Sequence, residues 1–291
     1  MSIKSVLRVM SCLLPDAMYI RLKYFMRMRK WPRLKNPRTY NEKLQWLKLH
    51  DRNPAYTRLV DKYEVRGAVA ECIGEKYLIP LVGGPWSSFD EIDFDALPDQ
   101  FVLKCTHDSG GLVICRDKKQ LDQAAARRKI ERSLATNYYL HGREWPYKHV
   151  RPRIIAEKYM EDETTAELRD YKFFCFGGEP RLLYVVTDRH TQGVETRYDF
   201  FDMDFHHLDL INTHPNADTL PAKPGQFEQM AQLARKLSQG LPQVRVDLYE
   251  VNGRVYFGEL TFFHNSGMIP FEPPAWDERL GSWVALPARR D

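Results

Sequence analysis

The stretch "VRVDLYEVNGRVYFGELTF", residues 244–262, decides how this chain is read. β-Branched and aromatic residues flank Asn252–Gly253, so two antiparallel strands around a tight turn are expected. Side chains alternate along a strand. Val244, Val246 and Leu248 therefore share one face, and Arg245, Asp247 and Tyr249 share the other. The face that Glu259 joins depends on the turn. A two-residue Asn252–Gly253 turn pairs Asp247 with Gly258 and sends Glu259 to the apolar face, where an unpaired carboxylate costs several kcal/mol. A three-residue loop, with Gly253 left-handed in a bulge, pairs Arg245 with Glu259 and gathers the three ions on one face. The three-residue loop is the expectation. Such a cluster is either a structural salt-bridge network, worth little at a surface, or a hard-cation site. In the second case Asp247 and Glu259 hold Mg2+ and Arg245 faces phosphate oxygens.

Working outward, "TYNEKLQWLKLH" (39–50) reads as a helix capped by Thr39 or Asn41, and "YTRLVDKYEVRGAVAECIGEKY" (56–77) as a second helix ended by Gly74. "QFVLKCT", the turn "HDSGG" and "LVICR" (100–116) form two strands. "KKQLDQAAARRKIERSLATNYYL" (118–140) is the next helix, and "PRIIAEKYME" (152–161) a strand at a sheet edge. "DYKFFCFGGEPRLLYVVTDR" (170–189) is a hairpin turning at Gly177–Gly178, and "GQFEQMAQLARKLSQG" (225–240) a helix stopped by Gly240. Helices followed by hairpins alternating with single helices predict α+β lobes with antiparallel sheets, not a doubly wound parallel sheet.

With 43% apolar and 28% charged residues among 291, the composition is that of a globular protein. No apolar run is long enough to cross a membrane. Residues 1–38 hold ten Lys and Arg against Asp16 alone, so the basic charge sits in a leader and the body is slightly acidic. Pro15 and Asp16 break the leader's apolar segment, which does not fit a signal peptide. It suits a helix packed on the body or lying on an anionic surface. Nucleic-acid binding is not expected, because no stacking platform or reading motif accompanies the charge. The five cysteines are widely spaced without a C-x-x-C pair, as for reduced thiols in a cytosolic protein. No Cys/His cluster has zinc spacing. His206, His207 and His264 read as surface or loop residues. "DMD" at Asp202–Asp204 fits literally the D-x-D loop of nucleotide-sugar transferases, a triplet common by chance.

The hairpin resembles the metal-binding hairpin of ATP-grasp ligases. Other segments match that superfamily in order: "VDKYEVRGAVAECIGEKYLIP", "FVLKCTHDSGG", "IIAEKYME" and "DYKFFCFGGEPRLLYVVTDR". "YNEKLQW", "YKFFCFGG" and "GELTF" are similar to the TupA-like subgroup, associated with teichuronopeptide and other surface-polysaccharide biosynthesis. The resemblance covers roughly residues 36–275. It implies an ATP-grasp fold in which two α+β lobes clamp ATP. The implied parts are a basic helical leader (1–38), a reduced N-terminal lobe (39–100), a small lobe with flap and hinge (101–160) and a large lobe with the metal site (161–291).

The resemblance also implies roles. Lys62 and Lys104 would meet nucleotide phosphates, under a flap of Ser109, Gly110 and Gly111. Glu157, Lys158 and Tyr159 would form the hinge whose backbone holds adenine. Arg245, Lys172 and Arg189 would be catalytic, neutralising charge during phosphoryl transfer, and Asp247, Glu259 and Thr261 would hold Mg2+. Thr261 stands where such ligases usually have Asn, a poorer ligand in its place. His264 and Asn265 would read the acceptor. The implied activity is carboxylate–amine ligation through an acyl phosphate, using ATP and Mg2+. A uronic-acid-containing glycan or lipid-linked sugar would be the acid, with an amine as co-substrate. The enzyme would be cytoplasmic or peripheral at the inner leaflet. A glycosyltransferase, an ATP-dependent sugar kinase and a non-enzymatic glycan- or membrane-binding protein are the competing readings.

Overall fold

In the computed structural model, residues 14–163, 168–189 and 193–289 are described. Four helices come first: α1 (Asp16–Met28), α2 (Tyr40–His50), α3 (Ala55–Val60) and α4 (Val65–Ile73). Thr39 begins α2 with a full capping box, its hydroxyl accepting from the Glu42 N–H while the Glu42 carboxylate turns back to the cap. The helix expected over 56–77 is broken. Asp61 accepts the N–H groups of Tyr63 (2.8 Å) and Glu64 (3.2 Å), a local turn that competes with helix and separates α3 from α4. Gly74, at φ +108°, ends α4 as expected.

The smaller sheet contains β1 (Leu81–Trp86), β2 (Phe101–Cys105), β3 (Leu112–Cys115) and β4 (Ile154–Lys158), all antiparallel, in the order β1-β4-β2-β3. Phe101, Leu103 and Cys105 alternate into a core closed by Ala126 and Ile130 of α5 (Gln123–Leu134), which precedes the single-turn α6 (Tyr139–Gly142). β4 is thus an interior strand. The edge position expected for it is taken by β1, within a stretch (77–92) whose sequence reads as a short strand running into a loop.

The larger sheet contains β5 (Asp170–Phe176), β6 (Glu179–Thr187), β7 (Arg197–Asp202), β8 (Gln243–Val251) and β9 (Arg254–Thr261), in the order β7-β6-β5-β8-β9. One face packs on α7 (Phe227–Leu237). There Val244, Val246 and Leu248 are at most 1% exposed, and Phe173 lies 6.0 Å from Phe227, ring centre to ring centre. The other face is covered by α2 and the segment leading to α8 (Ala275–Trp283), with Tyr40 against Phe174, Phe176 and Phe271. Residues from Tyr40 to Leu78 share the large-sheet core, whereas Leu81–Trp86 joins the small sheet.

The leader divides in two, and its first 13 residues, with Cys12, lie outside the described ones. α1 buries Ile20 and Tyr24 and exposes Met18, Leu22, Phe25 and Met26. Cys105, Cys115 and Cys175 are buried free thiols and Cys72 an exposed one. Among the described residues no helix is long and apolar enough to cross a membrane.

Candidate active site on the large sheet

The turn between β8 and β9 has two residues, not the expected three. Val251 pairs with Arg254, and Asn252 (φ +49°) and Gly253 (φ +71°) are both left-handed. This Asn-Gly geometry matches the twist of the strands and decides the turn. A bulge at Gly258 then restores what the turn would have lost. Leu248 pairs with Phe257, but Asp247 pairs with Glu259 and Arg245 with Thr261. All four side chains therefore share one face.

Register with the neighbouring strands completes the array. Tyr184, Lys172, Asp247 and Glu259 form one rung across β6-β5-β8-β9, and Asp170 lies opposite Tyr249 in the next. Arg245 grips Asp247 with two parallel bonds of 2.7 Å, Nε to Oδ1 and a terminal nitrogen to Oδ2. Lys172 bonds to the same Oδ2 and reaches Asp170 Oδ1 at 3.1 Å. Arg189 bonds to the other Asp170 oxygen. Asp247 is 0% exposed. Burial raises its pKa, but Arg245 and Lys172 outweigh burial and hold the carboxyl well below the usual range. Burial lowers the pKa of Lys172, but Asp170 and Asp247 outweigh it and keep the ammonium charged. Asp170 also holds Arg189 above its ordinary value, against the opposing effect of burial.

Arg245 further donates to Thr261 Oγ1 at 2.9 Å and Glu259 Oε1 at 3.3 Å. It also meets His264 Nδ1 at 2.8 Å. His264 is not a surface residue: at 2% exposure it lies inside, its Nε2 2.9 Å from Asn212 Oδ1. Because the guanidinium can only donate, Nδ1 accepts and Nε2 carries the proton. Burial and then the Arg245 charge push the imidazole pKa far down, so it stays neutral. The Glu259 carboxylate is the most open acid of the array, its side chain 43% exposed, with the Thr261 hydroxyl 3.3 Å away. These two oxygens are of the kind a hard cation takes, and both also accept from Arg245. Both Asp247 oxygens are occupied by N–H donors, so Asp247 joins them only if its cations move to another anion.

On the small lobe, Lys104 meets Glu157 Oε2 at 2.6 Å, and Arg66 meets the other oxygen at 3.3 Å. Lys62 is not on a helix. It sits in the break after α3, its backbone N–H on Thr106 O and its ammonium on Asp108 O. That places it at the root of the flap. In the flap, Gly110 has φ +104° with open space around it, and Ser109 is exposed. Gly111 is closely packed, since a Cβ there would lie 2.1 Å from Ser133 Oγ. The backbone of Glu157 and Lys158 is engaged within the sheet, with Lys158 N–H on Pro80 O, so free hinge backbone begins at Tyr159. The Tyr159 hydroxyl accepts from Arg116 at 3.1 Å. Burial, and then the charges of Glu144 and Glu259, push the Tyr138 hydroxyl pKa up.

A family model described as TupA-like ATP-grasp matches residues 42–285. The chain belongs to that family. Three solved structures are similar to it at low identity and with TM-scores below 0.5. A D-alanine–D-alanine ligase from Bacillus anthracis, complexed with ATP, is 16% identical (TM-score 0.42), with 70% of this chain and 55% of that one covered. The Helicobacter pylori D-alanine–D-alanine ligase is 11% identical (TM-score 0.45), covering 85% and 69%. N5-carboxyaminoimidazole synthase from Aspergillus clavatus, in complex with ADP and 5-aminoimidazole ribonucleotide, is 13% identical (TM-score 0.39), covering 72% and 46%. Comparison with curated proteins gives no match.

In this TupA-like ATP-grasp chain, sequence reasoning missed Asp170, Asn212 and Tyr138. Asp170 opens the hairpin as an acid two residues before Lys172, a spacing that puts both on one face and was available as a signal. Asn212 and Tyr138 stand in loops, and no local pattern marks them. Asp202, Asp204 and His206 lie close enough together to hold a metal ion. However, Asp202 Oδ1 accepts the N–H groups of Asp204 (3.0 Å) and His206 (2.8 Å), which makes "DMD" a self-capped turn.

Proposed function

We propose that this TupA-like ATP-grasp chain is an ATP-dependent carboxylate–amine ligase that joins an amino acid or amino sugar to a uronic acid of a bacterial surface polysaccharide. One observation carries this reading. The bulge at Gly258 aligns Lys172, Arg245, Asp247 and Glu259 on one sheet face, within a family of ATP-grasp proteins. A purely structural ion cluster has no need of an open Glu259 beside saturated partners.

In this reading a carboxylate oxygen of the acid attacks the γ-phosphorus and the bond to ADP breaks, giving an acyl phosphate. The amine attacks the acyl carbon, phosphate leaves, and the amine gives up a proton, so the products are amide, ADP and inorganic phosphate. Arg245, Lys172 and Arg189 stabilise charge spreading over the transferring oxygens. Asp247 and Asp170 hold those cations in place before phosphate arrives. Lys104 and Lys62 bind phosphate oxygens as point charges, under backbone N–H groups of Ser109, Gly110 and Gly111. Glu157, Lys158 and Tyr159 border the adenine, with Tyr159 the first to offer free backbone. Glu259 and Thr261, and Asp247 once released, would hold Mg2+, which supplies Lewis-acid neutralisation of the phosphates. The basic leader suits an enzyme working beside the inner leaflet, where lipid-linked glycans are made.

Thermal-shift measurements test the nucleotide: Mg-ATP should raise the melting temperature and UDP-sugars should not. ADP release should require an acid and an amine together. Release with a sugar alone would make the protein a kinase, and stabilisation by UDP-sugars alone would make it a transferase.

A further inference from the structure

α1 has two unlike sides. Ile20 and Tyr24 are fully buried, whereas Met18 (49%), Leu22 (38%), Phe25 (39%) and Met26 (61%) are exposed. Their spacing places these four on one stripe. Trp31 (56% exposed) extends the stripe by stacking on Phe25, ring centres 4.6 Å apart. A helix that merely packs on its body has no need of a second apolar face. Arg21, Arg27, Arg29 and Lys30 are exposed around it. Residues 1–13 continue the same composition in sequence, eight of them apolar, with Lys4 and Arg8.

Beside the stripe lies a cavity of about 410 Å³, lined by Arg21, Lys35, His50, Arg52 and Arg289 with Asp16. Asp16 meets Arg52 at 3.3 Å but is shared with Arg143 and the Tyr139 hydroxyl. Four permanent cations thus face one carboxylate that is already bonded elsewhere.

We propose that α1, Trp31 and this cavity form a docking surface for an anionic phospholipid membrane. Met18, Leu22, Phe25, Met26 and Trp31 enter the headgroup–acyl boundary, and the cavity takes a headgroup phosphate. Charge complementarity selects this occupant over an apolar protein partner: the stripe is rimmed by cations, and the adjoining cavity is a concave basic site. A Trp at the end of the stripe suits the interfacial layer. The surface gives a physical basis to the inner-leaflet placement proposed above. Its test uses no nucleotide, so its failure is distinct from failure of the ligase reading.

The experiment is vesicle co-sedimentation of the full chain with phosphatidylcholine alone and with phosphatidylcholine containing phosphatidylglycerol. Binding should need the anionic lipid and fall steeply with salt. Leu22→Glu with Met26→Glu should lower partitioning at least tenfold. Arg21→Glu, a surface change that leaves the fold intact, should lower it about fivefold. Equal binding to neutral vesicles overturns the proposal, as does binding indifferent to all three substitutions. A dimer that dissociates in the Leu22→Glu/Met26→Glu protein, without vesicle binding, assigns the stripe to a second copy and also overturns it.

Discussion

Arg245 and Asp247 lie two residues apart on one strand and form a side-on pair, both bonds at 2.7 Å, with Asp247 wholly enclosed. The pair's second cation, Lys172, is itself 6% exposed. Asp247→Asn removes the charge that balances two buried cations. Breaking such a pair from one side costs roughly 3 kcal/mol or more, because the partners remain charged and desolvated. Urea unfolding is expected to show a loss of that order. Loss of Mg-ATP stabilisation should accompany it, and a silent variant would mean that the array is neither tightly coupled nor functional.

Gly258 is the hinge of the site. A Cβ there would lie 2.9 Å from Tyr249 Cε2 and 3.0 Å from the Asp247 carbonyl oxygen. Gly258→Val should displace the bulge and turn Glu259 from its rung, costing roughly 1–3 kcal/mol of overpacking. ADP release should fall far more than stability does, at least a hundredfold at temperatures where circular dichroism still reports a folded protein. Activity close to wild type would show that the bulge does not set the geometry.

The ion-bearing face was legible in the sequence because strand alternation puts Arg245 and Asp247 together whatever the turn. The turn was not, since either a longer loop or a bulge brings Glu259 to the ionic face, and Gly258 carries no side-chain signal to mark the bulge. The break at Asp61 was hidden because Leu59, Tyr63 and Val65 continue a helical stripe across it. The interior position of β4 depends on a partner some seventy residues earlier in sequence, a short strand whose pairing no local pattern marks. His264 looked like a loop residue for the same reason: its burial comes from Asn212 and Arg245, both distant in sequence.

Lys104 is held toward the inter-lobe side by Glu157 at 2.6 Å, and its side chain remains 24% exposed. A partly exposed pair of this kind contributes about 1 kcal/mol or less. Lys104→Met should therefore leave unfolding nearly unchanged while raising the KM for ATP at least tenfold. Glu157→Gln should keep the lysine and weaken ATP binding less. The reverse order of effects would assign nucleotide contact to Glu157.

Lys48, on α2, is 1% exposed and bonds to Ser266 O (2.7 Å), Ser266 Oγ (2.8 Å) and Gln45 Oε1 (3.1 Å). It thereby secures a loop in which Asn265 (φ +48°) and Ser266 (φ +56°) are both left-handed, next to His264. Burial pushes its pKa down to about 7, partly offset by Glu144. The unfolded lysine titrates near 10.4. Between pH 7 and 10.4 the unfolded chain therefore holds a proton that the folded chain lacks, and this group makes stability rise with pH across that window. Below pH 7 both states carry the charge and the contribution is flat. Measured as the difference between wild type and Lys48→Met, the slope should be positive and at most about 1.4 kcal/mol per pH unit. A difference independent of pH between 7 and 10 would mean that the three oxygen acceptors keep the ammonium charged. The loop beside His264 would then be held by a permanent cation.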